Sequence, residues 1–422
     1  MKFIVKINSD YRIILSLLLS VFARKKLFTQ SHKVAKNIYF QLFMIQKPFL
    51  LISILFVLFA CKNEQESPSI VNEQTKNTNI EFAKGFDISY YEGYKVITLK
   101  NAWPGAEKEF KYALIDNGTV LDSPENYDAI VTVPIDEIVV TSTTHIPSLE
   151  MLEVDKSLIG FPNLDYISSE ATRKRITDNQ ITELGRNQDI NTEVLIEINP
   201  DLVVGFAVDG NNKTLSNIKK TGIPVVYNSD WTETSPLGKA EWIKFFAAFY
   251  NKEAEANRLF TEIKNEYQKA KKLALQAKSS PTVLSGAMYK DVWHLPQGQS
   301  WAAQFISDAN GNYIWKDTKG TGSFSLSLES ILDKAEHAEI WIGPSYYTNL
   351  NQLQEAHAVY KQFDAFKNNE VYSFTNKVGE TGGLLYFELA PNRPDIVLKD
   401  IIKILHPELL PDYEFYFFDK LK

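Results

Sequence analysis

Short apolar runs alternate with amphipathic segments over most of the chain after residue 137. Runs of about four residues rich in Val, Ile and Leu are typical of strands buried on both faces. Strands and helices in alternation predict a parallel sheet covered by helices, and therefore an α/β fold. The predicted strands are 138–141, 157–160, 202–205, 225–227, 282–285, 340–342 and 371–374, and the predicted helices of the later part are 301–306, 327–332 and 396–405.

The pattern changes between residues 237 and 278, where apolar positions recur at steps of three and four. This is the period of one helix face, and no Pro or Gly follows Gly238 in the segment. A single helix about 60 Å long is predicted. It would separate a first lobe, residues 80–236, from a second lobe, residues 279–422. The recurring residues are Trp242, Phe245, Phe246, Phe249, Ala256, Leu259, Phe260, Ile263 and Tyr267.

The segment from 80 to 122 has the alternation of β-strands. Residues 94–100 and 110–115 alternate between apolar and polar, and Trp103-Pro104-Gly105 lies between them as a turn. A β-hairpin is therefore predicted, as an addition that packs against the first lobe.

An export signal precedes the predicted fold. Residues 49–60 follow Lys47 and are apolar apart from Ser53, with Ala60 directly before Cys61. These are the basic, apolar and small-residue parts of a signal peptide. The segment also resembles the lipobox of bacterial lipoproteins, which implies a lipid anchor on Cys61. The alternative is a membrane-spanning helix, but the apolar run is shorter than the roughly 20 residues that a span needs.

A second apolar stretch, residues 13–23, lies further upstream. Two consecutive export signals would serve no purpose, so Met44 is the expected start of translation and residues 1–60 are assigned to export. Residues 61–79 are mostly polar and have no apolar period, which predicts a disordered tether between membrane and fold.

The charge of the chain is unevenly distributed. The net charge is −7, but residues 1–60 carry nine Lys and Arg and one acid, which leaves 36 basic and 51 acidic side chains, or −15, in the remainder. Such a surface repels phosphate backbones, so nucleic acid is not expected as a partner. With a single cysteine, an intramolecular disulfide is excluded.

Sequence motifs of catalysis and metal binding are missing. The chain has no nucleophile elbow, Walker loop, zinc-protease motif or dinucleotide turn, and the glycine-rich segment 379–383 lacks the lysine of a phosphate loop. A binding protein without a cofactor is therefore expected, although an enzyme on the same scaffold stays an alternative. No two of the histidines have metal-ligand spacing: His145, His294, His337, His357 and His406.

Three segments carry a resemblance to a known family. They are residues 191–204, with an acid opening a helix before Pro-Asp and a strand; residues 327–342, with a similar arrangement; and residues 393–411, a closing helix and tail. Together they resemble the solute-binding proteins of iron-siderophore and vitamin B12 importers, over roughly residues 138–410. The resemblance implies two Rossmann-like α/β lobes joined by one long rigid helix, and here the β-rich segment is an addition to that pattern.

The resemblance also implies a partner and a location. Members of this family dock on arginines of an ABC permease dimer through one exposed glutamate per lobe, which here are Glu193 and Glu329. The alternative is that both acids merely favour the dipole of a helix first turn. The protein is expected to act as a monomer in the cell envelope, lipid-anchored and facing the periplasm, and a non-transport surface lipoprotein remains a competing class.

The ligand is expected beyond the carboxyl ends of the strands, as in other open α/β sheets. Aromatic side chains there would offer rigid area to a bulky metal chelate. The candidates are Thr143, Thr144, Phe161, Phe206, Trp231, Tyr289, Trp293, Tyr346, Tyr347 and Tyr386.

Arg186 is the position that separates possible ligands. Siderophore binders of the family resemble this chain in placing an arginine in that loop, whereas cobalamin binders tend to have an aromatic residue. A guanidinium would pair with the oxygens around a ferric ion. A ferric siderophore is therefore favoured, and cobalamin and heme are the alternatives.

Overall fold

The computed structural model describes residues 76–77 and 80–422. The export signal, the start at Met44, most of the tether and the lipid anchor on Cys61 lie outside the described residues. Among the residues that are described, no helix is both long and apolar enough to cross a membrane.

The predicted hairpin is part of a five-stranded N-terminal sheet. Its strands β3 and β4 are antiparallel, and β4 and β5 are parallel. One face of the sheet packs into the core of the first lobe, since Phe86 contacts Trp242 and Phe245 of the lobe-linking segment. The strands are β1 Lys76–Asn77, β2 Phe86–Tyr91, β3 Tyr94–Leu99, β4 Phe110–Asp116 and β5 Ala129–Val133.

The first lobe is built on a parallel sheet of order β12-β11-β6-β7-β8. Strands β6 and β11 are fully buried, as their unbroken apolar sequences predict. The strands are β6 Ile138–Val140, β7 Leu158–Phe161, β8 Thr182–Glu183, β9 Gly185–Arg186, β10 Asp189–Ile190, β11 Leu202–Gly205 and β12 Val225–Tyr227. The helices are α1 Ile146–Met151, α2 Glu170–Thr177, α3 Thr192–Ile198 and α4 Lys213–Lys220.

The link between the lobes is helical, but residues 237–278 do not form the single helix that was predicted. They are divided among α5 Pro236–Ala240, α6 Ile243–Phe249 and α7 Glu253–Ala274. The first break is a tightened turn, in which the N–H of Lys244 and that of Phe245 donate to carbonyl oxygens three residues back. The second break is at Asn251, which has a left-handed φ of 55°. The longest continuous helix, α7, therefore spans about 33 Å.

The second lobe repeats the α/β layers with a sheet of order β16-β13-β18-β19-β20, antiparallel at β20. An antiparallel sheet of order β14-β15-β17 accompanies it. The strands are β13 Thr282–Ser285, β14 Ala287–Tyr289, β15 Val292–Pro296, β16 Asn312–Tyr313, β17 Ser323–Leu326, β18 Ile340–Ile342, β19 Val371–Ser373 and β20 Asp419–Lys420. The helices are α8 Trp301–Asp308, α9 Leu328–Ala335, α10 Leu350–Ala356, α11 Asp364–Lys367, α12 Leu385–Leu389 and α13 Pro394–Leu405.

Helix α7 joins the two lobes through their hydrophobic cores. Phe260 and Ile263 on its first half belong to the core of the first lobe. Tyr267 and Ala270, one and two turns further along, belong to the core of the second lobe. The same helix face is therefore buried in both lobes, and it resists bending between them.

Two buried carboxylates hold the chain where it enters the fold. The carboxylate of Glu241 accepts hydrogen bonds from the backbone N–H groups of residues 81–83, and it pairs with Lys244 at 2.8 Å. The carboxylate of Glu233 accepts the N–H groups of residues 84–85 at 2.8 Å. The start of the N-terminal sheet is thereby fastened to the lobe-linking segment.

Replacing Glu241 with Ala is expected to lower the free energy of unfolding by about 3–5 kcal/mol, because Lys244 and three N–H groups lose a buried partner. Glu255→Ala is the control, since Glu255 forms an exposed pair with Arg258 that is worth about 0.2–1 kcal/mol. Urea unfolding followed by circular dichroism measures both, and equal losses would contradict the assigned importance of Glu241.

Candidate functional site

The carboxyl ends of the strands in both lobes open onto a cleft between the lobes. Its larger cavity has a volume of about 710 Å³. Residues 231–234, after strand β12, supply the wall from the first lobe, and the loops after β13 and β18 line it from the second lobe. A volume of this size lies in the range of small-molecule sites, about 300–1,000 Å³.

A smaller cavity of about 390 Å³ adjoins the first one at Phe387, which lines both. The first lobe contributes residues 141–143, Phe161 and Phe206, and the second lobe contributes Tyr346 among others. Strands β6 and β11 end here, on the two sides of the point at which the order of the sheet reverses. Open α/β sheets bind ligands at this point, so the topology of the first lobe accounts for the place of the cleft.

Stacked aromatic rings form the second-lobe wall of the larger cavity. The ring of Tyr386 lies 4.5 Å from that of Phe374, at an interplanar angle of 13°. Trp301 stacks on Tyr386 at 6.2 Å and 23°. Burial raises the pKa of Tyr386, so its hydroxyl stays neutral at physiological pH. The three rings make this wall of the cavity aromatic and apolar.

The cavities are poor in charge. Among the described residues that line them there is no lysine or arginine, and Glu233 is the acid. Its carboxylate is engaged by residues 84–85 and by the indole N–H of Trp242. Lys239 lies behind the wall, 5.4 Å from the ring of Trp301, and donates to the carbonyl oxygen of Asp230. The cleft is therefore suited to apolar and neutral polar contacts.

The two lobes also touch directly beside the cleft. Asn392 of the second lobe donates to the carbonyl oxygen of Thr144 and accepts from the hydroxyl of Ser148. The carboxylate of Glu388 accepts the N–H groups of Ser168 and Ser169, at 2.7 and 2.8 Å. Burial outweighs these bonds and raises the pKa of Glu388 to about 7. These contacts set the separation of the lobes.

Six of the predicted ligand residues line the cleft. Trp231 and Tyr386 face the larger cavity. The smaller cavity is lined by the other four: Thr143, Phe161, Phe206 and Tyr346.

The assignment of Trp293 to the ligand site is wrong. Strand β15 belongs to the antiparallel sheet, and its Trp293 is fully buried in the second-lobe core, where it stacks on Trp341 at 5.3 Å. Its indole N–H donates to the carbonyl oxygen of Ser285.

Four other candidates line neither cavity. The hydroxyl of Thr144 donates to the carboxylate of Asp230, and the carbonyl oxygen of Tyr347 accepts from Thr375. Tyr289 is exposed on the β14–β15 hairpin. Arg186 is exposed on strand β9, and the neighbouring Asn187 lines the smaller cavity instead. Contact of these residues with a ligand stays a prediction.

Six aromatic residues that line the cavities were missed from the sequence: Tyr166, Trp301, Phe305, Phe374, Phe387 and Phe418. Phe374 directly follows strand β19, so the strand-end argument could have found it. Trp301 is the first residue of α8 and Phe387 lies within α12. In a helix, aromatic residues that line a cavity have the same sequence spacing as residues of the core. The sequence therefore did not indicate that these two side chains face a cavity.

Glu193 and Glu329 occupy equivalent positions in the two lobes. Each is exposed and is the second residue of its helix, α3 or α9. Each helix is capped by the preceding polar residue, Asn191 or Ser327. Each helix also leads into the strand that pairs with the first strand of its sheet, β11 beside β6 and β18 beside β13. Backbone and Ser327 hydrogen bonds lower the pKa of Glu329, so this carboxylate is charged at neutral pH.

No group of three or more His, Cys, Asp or Glu side chains within the described part of the chain is placed to hold a metal ion.

The family model described as periplasmic binding protein matches residues 138–378. An uncharacterized lipoprotein of Methanocaldococcus jannaschii is 28% identical over 406 residues, which cover 88% of this chain and 94% of the relative. A second protein of that organism, also uncharacterized, is 24% identical over 72% of this chain and 92% of its own length.

Solved structures agree in fold. A periplasmic binding protein from Veillonella parvula has a TM-score of 0.52 and 14% identity, over 77% of this chain and 96% of its own. A protein of Staphylococcus epidermidis described as a possible iron-binding, periplasmic solute-binding protein has a TM-score of 0.51 and 17% identity, over 65% of this chain and 99% of its own. At these identities the likeness shows a shared fold.

Replacing Glu388 with Gln is expected to change the pH dependence of stability. Because the pKa of Glu388 is raised from 4.5 to about 7 in the folded protein, the folded protein holds a proton that the unfolded chain releases. Stability should therefore fall by roughly 3 kcal/mol between pH 4.5 and 7, and the variant should lack this loss. Urea titrations at several pH values measure it, with the exposed Glu380→Gln as control; identical slopes in all three proteins would contradict the assignment.

Proposed function

The chain belongs to the periplasmic binding protein family, and from this premise we propose that it captures a bulky, weakly charged metal chelate between its lobes and delivers it to an ABC importer. The observation that carries the proposal is the larger cavity, walled by stacked aromatic rings and free of lysine and arginine among its described lining residues. Capture and transfer require no catalytic residue.

The charge of the cavity bears on the kind of chelate. A trianionic ferric catecholate would enter without a lysine or arginine in the lining to pair with it, and that is costly in an apolar site. A ferric hydroxamate has a neutral metal centre, and cobalamin and heme have large flat faces that suit the aromatic stack. We therefore propose a ferric hydroxamate as the favoured siderophore class, with cobalamin and heme as alternatives. Arg186 lies outside the lining of both cavities, and its contact with the oxygens of a chelate stays a prediction.

The equivalent placement of Glu193 and Glu329 supports docking on a permease. Two exposed carboxylates on separate lobes can pair with two cationic sites of a permease dimer, and such pairs determine orientation and association rate more than affinity. A lipid anchor on Cys61 in the cell envelope completes the proposal, and the lipoprotein name of the methanogen relative supports it.

Ligand binding is tested by tryptophan fluorescence, since Trp231 and Trp301 line the larger cavity. A ferric hydroxamate, cobalamin or heme is expected to quench the emission saturably, and a ferric catecholate is not. Phe387→Ala should weaken binding about tenfold or more, because Phe387 lines both cavities. Tyr416→Ala is the control, since Tyr416 has similar exposure, 43% against 45%, and lines neither cavity. Preference for the catecholate would refute the proposed ligand class.

Docking is tested by reversing the charges of both Glu193 and Glu329. The Glu193→Lys/Glu329→Lys protein is expected to lose import almost completely, since its two lysines would then face the cationic sites of the permease. Its affinity for the chelate in solution should be unchanged. Glu197→Lys/Asp333→Lys, with the same charge change at exposed positions of the same two helices, should import normally. Uptake assays in cells that carry each variant decide this, and unimpaired import by the first variant would exclude the docking surface.

A further inference from the structure

The turn between strands β3 and β4 reaches the lining of the larger cavity. Pro104 lines this cavity together with Trp231 of the first lobe. The turn lies in the N-terminal sheet, which precedes the segment of the chain that the family model matches, residues 138–378. The N-terminal sheet therefore contributes to the cleft, beside the α/β part of the first lobe and the second lobe.

The turn has a firm local structure. The N–H of Ala106 donates to the carbonyl oxygen of Trp103 at 3.0 Å, which closes a four-residue turn. Pro104 and Gly105 are its two central residues, and Gly105 has a φ of 80°. Proline fixes the first central position and glycine allows the left-handed second one, so the turn is confined to one shape.

Trp103 fastens the turn to the first lobe. Its ring packs edge to face against Tyr227, at 5.9 Å, and against Phe110, at 5.6 Å. Tyr227 is the last residue of β12, and Trp231 follows it by four positions. Trp103 also lies against Gly210, where a side-chain Cβ would come within 3.3 Å of the indole. The indole thus touches the loop that follows β11 and the last residue of β12, and it holds Pro104 beside Trp231.

We propose that the Trp103–Pro104 turn is a specificity rim, which limits the bulk of the chelate that enters the larger cavity and slows its release. This inference rests on the proposed function, because it assigns a further determinant to the same site. Pro104 is the contacting residue, and Trp103 is a positioning residue that acts through it. A chelate with large peripheral groups meets the rim, whereas a compact one passes beneath it.

Release kinetics test the rim on the chelate that the wild-type protein binds. Trp103→Ala and Pro104→Gly should raise the release rate constant, by about tenfold and about threefold, with association changed less than about twofold. Both should also gain affinity for hydroxamates with bulkier substituents relative to compact ones. Val120→Ala, at an 89% exposed position after β4, is the control and should behave as wild type. Unaltered release and size preference in both rim variants would overturn the inference.

A second readout needs no ligand. Trp231 and Trp301 line the cavity, so acrylamide quenching of their fluorescence reports access to it. Pro104→Gly keeps every tryptophan and should raise the quenching constant above that of the wild type and of Val120→Ala; no change would count against the rim. If the wild type binds none of the chelates, the proposed function fails, and the quenching comparison still decides whether the turn restricts the cavity.

Discussion

One buried face of helix α7 determines the geometry of the whole molecule. Phe260 and Ile263 pack into the first core and Tyr267 and Ala270 into the second, so neither lobe can move far without exposing apolar surface of this helix. Bending it would also break backbone hydrogen bonds, and only small lobe movements are therefore compatible with the fold. Asn392 and Glu388 add polar contacts between the lobes.

The described lining of the cleft contains His294 but no lysine or arginine, because the lysines near it are held by other groups of the protein. Lys244 pairs with Glu241, and Glu241 and Glu233 also bind the entering N-terminal chain. Lys239 is held behind Trp301 by backbone carbonyl oxygens. The charges close to the cleft thus support its walls, and the surface that remains for a ligand is mainly aromatic and neutral polar.

The sequence predicted the strands well because a strand buried on both faces needs an unbroken apolar run. Strands such as β11 and β12 begin and end as predicted. The breaks in the linking helix were not predicted, because no Pro or Gly follows Gly238 and the apolar spacing continues across Asn251. Trp293 and Trp301 show why the residues of the site could not all be predicted from the sequence. Both are aromatic residues near strand ends, and only tertiary packing places one in the core and the other in the cavity wall.

The central claim is that a chelate lies between the lobes, against the rings of Trp301 and Tyr386. Anomalous diffraction at the iron edge from crystals grown with a ferric hydroxamate tests it directly. The account predicts one strong metal peak inside the larger cavity, between that stack and Trp231, with the ligand's own atoms coordinating the iron. A metal peak outside the cleft, for instance beside the exposed Arg186, or iron held directly by protein side chains, would contradict it.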